Sequence, residues 1–191
     1  MVLVNTKEMI QKAKAGHYAV GSFNVTDIEM IRGIVGAAEK EKSPVIIQFA
    51  ELHDKYVPLD VIAPVMLNIA RKATVPVAVH FDHGETFDNI VRAIRLGFTS
   101  VMVDASQDDF ADNLARTKEI LKICKPLDIS VEAELGPMNR EGSGDKKLIM
   151  PILIKHIRTH RKPSNLLKNP VLICWQLPMV PFTASIPRSR I

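Results

Sequence analysis

The sequence Pro-Val-Ala-Val-His-Phe-Asp-His-Gly at residues 76–84 predicts a buried strand that ends in an acid and an imidazole. Because side chains alternate along a strand, its residues divide between two faces: Val77, Val79 and Phe81 on one, and Ala78, His80 and Asp82 on the other. His83 and Gly84 are then expected to begin a loop. A carboxylate beside an imidazole at a strand end can hold a metal and move a proton. For an isolated Asp-His pair, a surface turn is the alternative.

Length and composition limit the class of protein. A chain of 191 residues allows one sizeable core. It contains no run of roughly 18 apolar residues, which a membrane span requires, and its start lacks the layout of a secretory signal. Cys124 and Cys174 provide neither a disulfide framework nor a paired metal motif. We therefore expect a cytoplasmic protein with no membrane partner.

The charge is divided unevenly along the chain. Residues 1–145 hold all 21 acidic residues and 16 Lys and Arg, a net charge of −5. Residues 146–191 hold 9 Lys and Arg, no acid, and 6 of the 12 prolines. Such a break predicts a boundary between two segments, 1–145 and 146–191.

Within the first segment, apolar runs alternate with helical patterns that begin at capping residues. The predicted strands are 18–23, 45–49, 76–82, 100–104 and 129–135, and the predicted helices begin near Asn5, Thr26, Leu59, Thr86 and Asp109. Strand and helix in alternation predict parallel strands with outer helices. Both a β/α barrel and an open doubly wound sheet fit. No Gly-x-Gly-x-x-Gly follows the first strand, so a dinucleotide site is not supported.

Polar residues recur at the carboxyl ends of these strands, which form the catalytic face of a β/α barrel. They are Asn24, Gln48, Asp82 with His83, Asp104, and Glu134. Capping of the next helix is the alternative, and Asp104 could do only that. Glu132 and Glu134 share one strand face, and a buried face does not carry two carboxylates without a cation or a donor. One histidine and several carboxylates therefore suggest a divalent metal.

The other histidines of this segment are expected to have no ligand role. His17 and His53 are interpreted as solvated, and His80 as a core histidine one layer below Asp82.

Five stretches of the first segment resemble one enzyme family. They are Tyr-Ala-Val-Gly-Ser-Phe-Asn at 18–24, Ser-Pro-Val-Ile-Ile at 43–47, His-Phe-Asp-His-Gly at 80–84, Ser-Val-Met-Val-Asp-Ala-Ser at 100–106 and Val-Glu-Ala-Glu-Leu-Gly at 131–136. Together, in order and correctly spaced, they resemble the class II, metal-dependent ketose-bisphosphate aldolases. The resemblance implies the (β/α)8 barrel, here about the first five β/α units followed by a tail unlike the family.

The resemblance also implies roles for individual residues. Asp82 matches the catalytic acid/base and His83 the first zinc ligand, while Asp104 and Glu134 match positions that bind a second or alternative metal in some members. Asn24 is the candidate substrate-binding residue. The implied reaction is reversible aldol cleavage of a ketose 1,6-bisphosphate to dihydroxyacetone phosphate and glyceraldehyde 3-phosphate, with zinc as the Lewis acid. Fructose and tagatose bisphosphates both remain open as substrates, and the family is usually homo-oligomeric.

The family pattern fails after Gly144. The family has two further zinc histidines, in Gly-x-x-His-Gly and Leu-His-Gly stretches, and phosphate-binding glycine loops on its late strands. This sequence contains neither these stretches nor the loops. His156 and His160 lie in surroundings unlike the family's. We therefore expect the chain to be truncated relative to the family and impaired in zinc binding and cleavage.

A shift of reading frame would explain the tail. Read one frame away, Trp175 followed by Gln176 must give alanine, and Met179 followed by Val180 must give glycine. The following codons permit His-Gly at the spacing of the missing ligand stretch. We therefore interpret residues 146–191 as frameshift-derived, with no regular β/α continuation.

Two other functions are alternatives to an aldolase. A non-catalytic fragment or pseudoenzyme would bind a protein partner through its exposed sheet edge. A nucleic-acid-binding tail is disfavoured, because its Lys and Arg form no stripe and Trp175 stands alone. The expected partner is a small phosphorylated sugar, not a nucleic acid.

Overall fold

The computed structural model describes residues 2–134 and the backbone of residues 171–174. The five predicted strands are all present, as β1 to β5, each preceded by a helix, α1 to α5. In chain order the elements are α1 Thr6–Gly16, β1 Gly21–Asn24, α2 Ile28–Lys40, β2 Val45–Ala50, α3 Leu59–Lys72, β3 Val77–Gly84, α4 Phe87–Leu96, β4 Ser100–Val103, α5 Phe110–Cys124, β5 Ser130–Glu134 and β6 Val171–Cys174, with 3₁₀ turns at Glu51–His53 and Lys125–Leu127.

The strands form one parallel sheet in the consecutive order β1-β2-β3-β4-β5-β6. A doubly wound sheet reverses its strand order at a switch point, whereas barrel strands follow one another in sequence. The consecutive order therefore favours the β/α barrel over the open doubly wound sheet.

One strand was not expected from the sequence. Val171–Cys174 lie in the segment predicted to lack a regular continuation, yet they pair in parallel with β5. For these four residues the prediction is wrong, because their backbone supplies the hydrogen bonds that the edge of β5 needs. The rest of 146–191, including the proposed frameshift, lies outside the described residues.

The two faces of the sheet differ in composition. The outer face of β2 to β5 is apolar and packs against the helices in one core that includes Ile47, Phe49, Val79, Phe81 and Val101. The inner face carries the polar side chains that the alternation of β3 predicted. In the described part of the chain, every helix is too short or too polar to cross a bilayer.

Helix α1 covers the amino-terminal end of the inner face. Its Met9 packs with Ile46 and Ala78, which are inner-face residues of β2 and β3. The segment before α1 pairs with the start of β3, where the backbone N–H of Val77 donates to the carbonyl oxygen of Val2 at 2.8 Å. This end of the sheet is therefore closed by packing, which leaves the carboxyl end for a site.

Candidate active site

The end of β3 departs from regular alternation, and the departure builds the site. The pairing register between β3 and β4 shifts between Phe81 and Gly84, and His83 has φ 46°, in the left-handed region. Regular alternation would turn His83 toward the outer helices, opposite Asp82. A bulge can redirect a side chain. Here it brings His83 to the same site as Asp82, at the carboxyl end of the sheet. The prediction that a loop begins at His83 is wrong, since the strand continues to Gly84.

Gly84 allows the close packing that this bulge requires. A Cβ atom at Gly84 would lie 2.5 Å from Cγ1 of Ile90 and 2.6 Å from the carbonyl oxygen of Met102. Only glycine lets the backbone of β3 approach α4 and β4 so closely.

The three predicted metal ligands converge beside this bulge. Potential ligand atoms of His83, Asp104 and Glu134 all lie within 4.8 Å of one another. His83 Nδ1 is 2.8 Å from Asp104 Oδ2 and 3.8 Å from Glu134 Oε2. Asp104 does not cap the next helix, because α5 begins after Asp109. Its Oδ1 instead accepts hydrogen bonds from the N–H and Oγ of Ser106.

The electrostatics of these three residues reflect their crowding. The hydrogen bond with Asp104 raises the pKa of His83 to about 9, and the same bond lowers the pKa of Asp104 to about 2. Burial, followed by the nearby negative charge of Asp104, raises the pKa of Glu134 to about 7. Two carboxylates next to one imidazole are therefore held in a site that favours an added positive charge.

The donor set fits a divalent metal. Glu134 is buried, and its Oε2 has no hydrogen-bond partner in the described part of the structure. A buried carboxylate oxygen without a partner is costly, and a cation would satisfy it. One imidazole nitrogen and two carboxylate oxygens are suitable ligands for zinc.

Asp82 lies next to the three residues and is oriented by amide groups. It is only 7% exposed, and Gln48 Nε2 donates to its Oδ2 at 2.7 Å. Burial raises the pKa of Asp82, while the charge of His83 and a hydrogen bond with Asn24 oppose that rise. Asn24 therefore lies beside the predicted acid/base. The sequence placed Gln48 among the polar residues at the strand ends, but it did not indicate that Gln48 would bind Asp82.

The structure agrees with the sequence prediction for one of two other histidines and corrects it for the other. His80 is buried, as predicted for a core histidine. The prediction that His53 is solvated is wrong for one atom, because its Nδ1 is buried and has no hydrogen-bond partner among the described residues. Its ring packs edge-on against Phe49, with centroids 5.7 Å apart.

Comparison with known proteins supports the family that the sequence resembles. The family model described as fructose-bisphosphate aldolase class-II matches residues 4–159, past the boundary at 145 that the charge break predicted. The chain is 48% identical over 139 residues to 6-phospho-5-dehydro-2-deoxy-D-gluconate aldolase of Halalkalibacterium halodurans, covering 71% of this chain and 48% of that protein. It is 42% identical over 135 residues to fructose-bisphosphate aldolase of Thermus caldophilus, covering 71% and 44%.

A solved structure gives the same result. The crystal structure of the YdjI aldolase from Escherichia coli K12 superposes with a TM-score of 0.68 at 42% identity, covering 70% of this chain and 52% of that one. The chain spans about half the length of the curated relatives it matches.

Proposed function

The chain belongs to the class-II fructose-bisphosphate aldolase family, and we propose that its described part carries the acid/base half of an aldolase active site. The observation that carries the proposal is the convergence of Asp82 with His83, Asp104 and Glu134 at the carboxyl end of the sheet. The proposed reaction is reversible aldol cleavage of a ketose 1,6-bisphosphate to dihydroxyacetone phosphate and glyceraldehyde 3-phosphate.

We propose that His83, Asp104 and Glu134 hold the divalent metal, with zinc as the expected ion. When bound, such an ion supplies the Lewis acidity that polarises the ketone of the substrate. The unpartnered oxygen of Glu134 and the short contact between His83 and Asp104 support this assignment.

Asp82 is the proposed acid/base. In cleavage, its carboxylate takes the proton of the C4 hydroxyl as the C3–C4 bond breaks, and in condensation it returns that proton to the aldehyde oxygen. The hydrogen bond from Gln48 to Oδ2 holds this carboxyl group in place. Burial raises the pKa of Asp82 toward the pH at which it works, as efficient general acid/base catalysis requires. We propose Asn24 as a substrate-binding residue because it hydrogen-bonds Asp82.

We also expect the chain as given to be impaired in cleavage, because the stretches carrying the family's other two zinc histidines are missing from its sequence.

A coupled assay of ketose-bisphosphate cleavage tests the proposed function on three proteins: the chain as given, a version with the reading frame restored beyond residue 144, and that version with Asp82→Asn. Cleavage by the second protein alone supports both the site and the frameshift. Normal turnover by the first would refute the impairment, and undiminished turnover by the third would refute the role of Asp82. No cleavage by any of them would favour a non-catalytic, protein-binding chain.

A further inference from the structure

Glu51, the first residue after β2, is bound to the segment that follows the neighbouring strand β3. Its Oε2 accepts hydrogen bonds from the backbone N–H groups of Glu85 at 2.8 Å and Thr86 at 3.2 Å. Its Oε1 accepts from Oγ1 of Thr86 at 3.0 Å and from Nδ2 of Asn89 at 2.8 Å. Both carboxylate oxygens are therefore engaged by donors at the start of α4, where the helix dipole also favours a negative charge.

The segment that Glu51 binds begins two residues after His83, at the bulge of β3. His83 has φ 46°, in the left-handed region that is unfavourable for a residue with a Cβ atom. Such a conformation persists only where the surrounding structure enforces it. Between His83 and the contacts of Glu51, the carbonyl oxygen of Gly84 accepts from the backbone N–H of Asp104 at 2.9 Å. The backbone after His83 is therefore fixed from both neighbouring strands, β2 and β4.

Arg116 of α5 also contacts this segment, but it cannot replace Glu51. Its Nη2 donates to the carbonyl oxygen of Glu85 at 2.6 Å, and its Nη1 donates to Asp108 at 2.6 Å. A guanidinium group offers only donors, so Arg116 has nothing to offer the N–H groups of Glu85 and Thr86. Glu51 supplies the acceptor for both of them.

The backbone conformation at the bulge determines where the imidazole of His83 points. Its Nδ1 lies 2.8 Å from Oδ2 of Asp104, whereas regular alternation would turn this side chain toward the outer helices. The side chain that enters the site therefore depends on backbone that Glu51 holds in place.

We propose that Glu51 is a positioning residue for His83. By binding the backbone N–H groups of Glu85 and Thr86, it maintains the left-handed conformation of His83 and directs the imidazole toward Asp104. The consequence for metal binding rests on the proposed function, whereas the conformation of His83 does not.

The first readout is NMR spectroscopy of the full chain near neutral pH, without metal. Glu51→Ala should shift the imidazole signals of His83. It should also speed hydrogen exchange at the N–H groups of Glu85 and Thr86 by about tenfold or more, since each loses a hydrogen bond to a charged acceptor. Glu51→Gln keeps one oxygen that can accept from both N–H groups, so it should cause smaller changes of the same kind.

The matched control is Glu39→Ala. Oε1 of Glu39 accepts from the backbone N–H and Oγ1 of Thr74, at 2.7 and 3.1 Å. This variant therefore also removes a carboxylate that binds a threonine, but it does so before the start of β3, far along the strand from the bulge. It should leave the His83 signals as they are in the native chain. A general loss of stability would affect both variants alike.

The second readout is calorimetric titration with zinc. Glu51→Ala should weaken zinc binding by about fivefold, less than the loss expected for a group that contacts a ligand directly, and Glu39→Ala should bind as the native chain does. Unshifted His83 signals in Glu51→Ala, equal shifts in Glu39→Ala, or unweakened zinc binding by Glu51→Ala would each overturn the proposal. Absence of zinc binding by the native chain would count against the proposed function alone, because the metal-free His83 signals then decide the role of Glu51.

Discussion

The two ends of strands β3 to β5 carry different chemistry. At the amino-terminal end, Ser100 and Ser130 face α1, and both hydroxyls have hydrogen-bond partners. At the carboxyl end, ionisable groups crowd together, and the buried Oε2 of Glu134 has no hydrogen-bond partner among residues 2–134. The serine hydroxyls at the amino-terminal end are paired, whereas the carboxyl end holds a buried carboxylate oxygen that a cation would satisfy. Barrel enzymes generally separate stability and catalysis between these two ends.

The largest expected difference between the two ends is in catalysis. In a version of the protein that cleaves the substrate, Asp82→Asn should lower the turnover rate by about 10²–10⁴-fold, because it removes the general acid/base. Ser130→Ala, at the opposite end of the sheet, should leave the rate within about twofold. The coupled cleavage assay measures both. Similar losses in the two variants would remove the functional distinction between the ends.

The next largest effect concerns stability at the carboxyl end. Gly84→Ala should lower the free energy of unfolding by about 1–3 kcal/mol, since its Cβ would overlap Ile90 and a backbone oxygen. Gly33→Ala and Gly36→Ala are matched controls on α2, where a Cβ meets nothing within 4 Å. These should stabilise the chain by about 0.5–1 kcal/mol through helix propensity. Urea denaturation distinguishes the outcomes, and a harmless Gly84→Ala would contradict the close packing at the bulge.

The effect expected from His80, which lies between the two ends, is smaller for each unit of pH. Its folded-state pKa of about 3 lies below its ordinary value of 6.5, so the unfolded chain binds more protons between these values. The contribution to stability is therefore present above pH 6.5 and is lost as the pH falls toward 3, by up to about 1.4 kcal/mol per pH unit.

The control for this prediction is a second histidine that is exposed. His80→Gln should flatten the pH dependence of unfolding between pH 4 and 6.5, and His17→Gln should preserve it. The free energy of unfolding measured across that range tests the difference. Equal slopes in the native chain and His80→Gln would show that His80 is not buried in its neutral form.

Local signals predicted most of the fold. Asn5 and Thr86 accept hydrogen bonds from backbone N–H groups at the starts of their helices, as the capping patterns indicated. Helix α2 is capped by Asp27, one residue after the Thr26 with which the predicted capping box begins. The apolar runs located β2 to β5, because burial on both faces of a parallel sheet needs such runs. Strand β1 is exposed and begins three residues later than the predicted strand 18–23. Family resemblance then chose the barrel over the doubly wound sheet.

Features that depend on distant pairing were not predictable. The bulge near His83 arises from the register of β3 against β4, and nothing in residues 76–84 alone requires it. The contact between Thr6 and Ser100 joins residues 94 positions apart, and serine at a strand start gives no signal of its partner. Sequence therefore indicated which residues come together at the strand ends, whereas their orientation depended on tertiary structure.

We propose that the carboxyl end of the sheet holds a divalent metal through His83, Asp104 and Glu134. Calorimetric titration of the native chain, Glu134→Gln and Glu132→Gln with zinc tests this assignment. Glu132 is on the same strand and face, but it lies beside His80 and outside the group of three. We predict that Glu134→Gln weakens zinc binding by about tenfold or more, while Glu132→Gln binds as the native chain does. Equal affinities in all three proteins, or equal weakening in both variants, would contradict the assignment.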